Sequence, residues 1–189
     1  MKNLVIIFSI FALVILSTAC GDRKKDKEFE ELVDKAASYS QNNDLISAKE
    51  IYSKALDLKE DDQVRGWYNS ILKEIESAKE VNKYRDSLRE LKKEINKAFN
   101  EERLNDLTIL MSDLYDDIKS TTLDKETKAG SYLDGLKNSP ELNSLGTEAQ
   151  LTIYSAIQNK TDLKEAKEQV QSIVDNILSY HEYPFDNVK

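Results

Sequence analysis

Val64–Phe99, VRGWYNSILKEIESAKEVNKYRDSLRELKKEINKAF, decides the fold. Val64, Trp67, Ile71, Ile75 and Ala78, then Tyr84, Leu88, Leu91, Ile95 and Ala98, recur at intervals of three and four, the spacing of one helical face. From Trp67 to Ala129 there is neither Gly nor Pro, so no residue of the breaking kind interrupts the pattern. The apolar period weakens only at Glu80–Lys83. Unbroken, these 36 residues make a helix about 54 Å long at 1.5 Å per residue. Broken near Val81–Lys83, they make two. One long helix, straight or kinked, is the expectation.

The flanking sequence is helical as well. Before it, Phe29, Leu32, Val33, Ala36 and Tyr39 form one helical stripe, and Leu45, Ala48, Ile51, Tyr52, Ala55 and Leu56 another. Gln41-Asn42-Asn43-Asp44 lies between them, a polar turn whose Asn and Asp side chains can cap the second helix. After it, Leu104–Ile118 carries Leu107, Leu110, Met111, Leu114 and Ile118 and reads as an antiparallel partner. A helix from Asp124 to about Leu136 follows. Ser139-Pro140 then supplies an N-cap and a first-turn proline. Thr147…Gln150 resembles a capping box for Glu148–Asn159, and Asp162…Glu165 another for a last helix through Leu178. Ser179–Lys189 reads as a short irregular tail. Asn43-Asp44-Leu45 recurs as Asn105-Asp106-Leu107 and loosely as Thr161-Asp162-Leu163, which suggests three diverged hairpins. The chain is thus expected to be all-α: antiparallel helical hairpins, a long central helix and a C-terminal helical bundle.

Composition excludes several classes. Five Gly and two Pro in 189 residues are too few for a fold of many short strands and turns. One Cys and one His cannot build a structural zinc site or an internal disulfide framework. A formal charge of −8 opposes nucleic-acid binding, which requires a basic face.

The N-terminus reads as an address. Lys2 precedes an apolar run from Leu4 to Leu16, short of the ~20 residues that span a bilayer as a helix. The run closes on Leu16-Ser17-Thr18-Ala19 before Cys20-Gly21. Leu16–Cys20 resembles the lipobox of bacterial lipoproteins. The resemblance implies a signal peptide over 1–19, cleavage before Cys20, acylation of the Cys20 thiol, and an extracytoplasmic protein held to a bacterial membrane. Two or three acyl chains anchor firmly where one does not. Without Lys2, the 27 basic residues fall by one against 35 acidic ones, and the charge becomes −9. Residues 20–27, with Arg23, Lys24, Lys25 and Lys27, are then a basic tether, set against anionic headgroups or simply solvated.

Leu32, Ala36, Tyr39, Ala48, Tyr52 and Ala55 fall on the spacing of a tetratricopeptide repeat, which Phe29–Asp62 resembles, with Glu60 where that family has its proline. The alternative is a generic helical hairpin. The resemblance implies a tetratricopeptide-like N-terminal part that captures a peptide in a groove lined by the first helix. On this chain Glu30, Val33, Ala37, Ser40 and Gln41 would face that groove, and the helix from Trp67 onward would complete it. The expected organisation is 28–80 for this hairpin with its following helix, and 81–189 for the helical bundle.

Chemistry is harder to find. His181 has only the adjacent Glu182 as a partner, which a helix points elsewhere, so a surface or capping role is expected. Asp113, Asp116, Asp117, Asp124 and Glu126 lack the spacing of an EF-hand loop and read as a solvated acidic helix end. No Gly-rich phosphate loop occurs. No catalytic residue, metal ligand or cofactor is nominated, and the chain is read as no enzyme. Trp67, Tyr68, Tyr84, Tyr115, Tyr132 and Tyr154 sit in apolar helical patterns, where core packing is the default. The leading function is a membrane-anchored lipoprotein that binds or scaffolds another envelope protein or peptide. The alternatives are a helical spacer or self-associating coiled coil using the Leu88/Leu91/Ile95/Ala98 stripe, and an envelope enzyme or enzyme inhibitor.

Overall fold

The computed structural model describes residues 23–100, 103–186 and 188, and Cys20 with the rest of the signal-like segment lies outside them. The described chain is all-α: α1 (residues 23–41), α2 (Leu45–Leu58), α3 (Asp62–Asn100), α4 (Leu104–Ser120), α5 (Lys128–Lys137), α6 (Pro140–Gly146), α7 (Glu148–Ile157) and α8 (Leu163–Leu178). None of its helices is long and apolar enough to cross a membrane. Packing divides the chain into two units, one ending at Lys73 and the other beginning at Glu74. The boundary lies inside α3, a single helix of 39 residues.

The N-terminal unit holds α1, α2 and the start of α3. Arg23, Lys24, Lys25 and Lys27, read from sequence as tether, are already part of α1. Asp44 caps α2 by accepting from the Ser47 N–H at 3.2 Å, and Asn43 reverses the chain at φ 58°, a conformation Asn tolerates. The end of α2 returns to the start of α1. Lys59 Nζ stands 2.9 Å from Asp26 and 5.4 Å from the Phe29 ring centroid. Ala36, Ala48 and Ala55 are fully buried, so no Cβ branch holds the helix backbones apart. Asp61 caps α3 by accepting from the Gln63 and Val64 N–H groups.

In the C-terminal unit Leu88, Leu91 and Ile95 of α3, Leu107, Met111 and Ile118 of α4, and Val170, Val174 and Ile177 of α8 form the core. Ser139 and Asp162 cap α6 and α8 as the sequence suggests. Three local expectations fail. Thr147 makes no cap bond, because its hydroxyl donates back to the Asn143 carbonyl at 2.9 Å. The helix expected from Asp124 starts at Lys128, since Asp124 accepts from the Glu126 N–H in a turn and Thr127 takes the cap. Asn105-Asp106-Leu107 lies inside α4, so of the three only Asp44 and Asp162 cap a helix.

The weak stretch of the α3 pattern is not a break. Asn82 within it and Arg85 just after it are buried, and the irregular tail lies on them. Asn82 Nδ2 donates to the carbonyls of Phe185 and Val188, at 2.8 and 2.6 Å. Tyr183 donates to the Ala78 carbonyl at 3.1 Å, and Phe185 is fully buried.

Candidate functional site

The N-terminal unit contains a groove of about 340 Å³ walled by its three helices. From α1 come Val33, Asp34, Ala37, Ser40 and Gln41, from α2 comes Tyr52, and from α3 come Trp67, Ser70 and Ile71. The α1 residues share one face because 33, 37 and 41 are successive turns apart, with 34 and 40 beside them.

Tyr52 and Trp67 form the apolar wall, with ring centroids 6.2 Å apart and planes tilted by 43°. Tyr52 is buried, and burial pushes its hydroxyl above the ordinary phenol value, so it presents a neutral ring. Trp67 keeps 40% of its surface exposed. An indole half in water beside a concave apolar surface is the kind of residue that dominates binding energy when a partner covers it.

Of the residues the sequence nominates, Val33, Ala37, Ser40, Gln41 and Trp67 line this groove together. Glu30 is exposed on α1, four residues before Asp34, and does not line it. Asp34, Tyr52, Ser70 and Ile71 were missed. Asp34 could have been found, because it shares the face of Glu30, Val33 and Ala37. Tyr52 and Ile71 read as core from spacing alone, and both are buried while still lining the groove.

Core packing does not hold for every aromatic. Trp67 is 40% exposed and Tyr154 58%, whereas Tyr84 is buried and its hydroxyl bonds that of Thr121. His181 is exposed in the tail at φ 46°, its ring 4.4 Å from that of Tyr180. Among the described residues no group of three or more His, Cys, Asp or Glu side chains is placed to hold a metal ion.

A second polar constellation lies in the C-terminal unit. Arg85 Nε is 3.0 Å from Asp186 Oδ1, and its Nη1 donates to the Tyr132 hydroxyl at 3.0 Å and the Leu178 carbonyl at 3.2 Å. Arg89 reaches the same carboxylate at 3.1 Å. Burial pushes the Asp186 carboxyl up, but hydrogen bonds from Arg85 and Arg89, with their charges, outweigh this and hold it below the usual carboxylate value. Burial drives the Tyr183 hydroxyl far above the phenol range. These bonds are all internal, and their evident work is to fasten the tail.

The chain matches no protein-family model, no curated protein and no solved structure.

Proposed function

We propose that this protein is an extracytoplasmic lipoprotein, anchored through acylated Cys20, whose N-terminal helical unit captures a segment of another envelope protein. The anchoring half of the reading rests on the Leu16–Cys20 lipobox resemblance. The binding half rests on one observation: Val33, Ala37, Ser40, Gln41 and Trp67 converge on a single groove with a half-exposed indole in its wall. A concave, mostly apolar surface with a few polar groups at its edge is the usual form of a recognition site. The coiled-coil alternative is less favoured, because Leu88, Leu91, Ile95 and Ala98 are at most 3% exposed within the chain's own structure.

Photocrosslinking tests the reading in the cell that makes the protein. A photoreactive residue at Ser40 is expected to give a discrete adduct with a second protein in the membrane fraction, and one at Asp113 is not. Equal labelling from both positions, or none from Ser40, would remove the groove as a binding site. Mass spectrometry of the same membrane-fraction chain checks the anchor: an unmodified Cys20 thiol would remove it.

A further inference from the structure

The groove carries charge of one sign. Asp34 is the only ionised residue that lines it, its carboxylate is exposed, and among the described residues it pairs with no cation. Glu30, four residues earlier on α1, adds a second carboxylate to the same face. Three cations of these helices have partners of their own. Lys35 lies over the Tyr39 ring at 6.0 Å, and Arg65 pairs with Glu60. Lys59 feels Glu30 through space but is hydrogen-bonded to Asp26. Like charges four residues apart destabilise a helix by a few tenths of a kcal/mol. The Asp34 carboxylate is therefore open to a cation from outside.

The rest of the groove narrows the occupant further. Its volume, about 340 Å³, is at the small end of ligand-sized clefts and suits a side chain or two rather than a packed helix face. Ser40 and Gln41 line its end, and their side chains have no hydrogen-bond partner among the described residues, which leaves a hydroxyl and an amide for a peptide backbone. We infer that the occupant is a basic amphipathic peptide segment, which gives a lysine or arginine to Asp34 and an apolar side chain to Tyr52, Trp67 and Ile71. This rests on the groove being the binding site proposed above.

Trp67 is the chain's one tryptophan, so its emission reports on the groove alone. The purified full-length chain is titrated with three twelve-residue peptides, built of Leu and Lys, Leu and Gln, or Leu and Glu. The Leu/Lys peptide is expected to shift Trp67 emission saturably and to bind at least tenfold more tightly than the Leu/Glu peptide. Asp34→Asn is expected to weaken the Leu/Lys complex about fivefold, the size of one exposed ion pair. Asp113→Asn removes the same charge from α4 and is expected to change nothing. Equal affinity for the Leu/Lys and Leu/Glu peptides, or equal weakening by the two substitutions, overturns the basic partner and leaves the groove reading standing. Emission that responds to none of the three overturns both.

Discussion

Arg85 and Asp186, 101 residues apart in sequence, meet with Nε 3.0 Å from Oδ1. The guanidinium is buried in the middle of α3 and also serves Tyr132 and the end of α8, so it is a fixed docking point for whatever lies on it. What lies on it is the tail. A buried cation without its anion is costly, which makes the tail a structural part of the C-terminal unit rather than a loose end.

The first prediction concerns acid. The folded carboxyl of Asp186 is held below its unfolded value of about 4. Its contribution is therefore present in full above that unfolded value and is lost as pH falls through the lower folded one. Thermal melts of the wild type and Asp186→Asn are expected to differ at pH 7 and to converge on acidification. A constant gap across that range would contradict the pairing.

Phe185 is fully buried. Phe185→Ala is expected to cost about 3 kcal/mol, the scale of a large aromatic deleted from a core. Urea unfolding followed by tyrosine circular dichroism measures it. A loss below about 1 kcal/mol would mean the tail contributes little to the unit.

Gly130 stands in the first turn of α5, where a Cβ would collide with the Asp124 backbone carbonyl and crowd the Thr127 hydroxyl. Backbone atoms cannot move aside cheaply. Gly130→Ala should therefore destabilise by about 1–3 kcal/mol despite alanine's better helix propensity. In contrast, Gly66 has open space around it, and Gly66→Ala should stabilise slightly. If the two substitutions behaved alike in melting experiments, the close approach at Gly130 would be wrong.

Ala48 has no exposed surface between the helices of the N-terminal unit. Ala48→Leu is expected to overpack the site and cost about 1–3 kcal/mol, with broadened Trp67 emission as the local sign. A neutral result would show that the helices have room to spare.

Much of this was legible in the sequence. The span of α3 followed from its three–four periodicity and the lack of Gly and Pro beyond Trp67, and the caps followed from the polar turn at Asp44, from Ser139 before Pro140 and from the Asp162…Glu165 spacing. Such features are local, because a helix and its cap are decided within a few residues. Thr147 misled because its hydroxyl had a competing partner one turn back, which spacing cannot rank.

Other features were decided only by the tertiary structure. Glu30, Val33, Ala37, Ser40 and Gln41 share a face of one helix, and sequence grouped them. That Tyr52 and Ile71 meet four of the five, while Glu30 stays outside, depends on how α1, α2 and α3 pack. Asn82 looked like part of a lapse in an apolar stripe, and Arg85 beside it like an ordinary surface cation, until Phe185, Asp186 and Val188 came to rest on them. Periodicity encodes where a helix is buried. What it is buried against is fixed by contacts between residues far apart in the chain, and no window of neighbouring residues contains them.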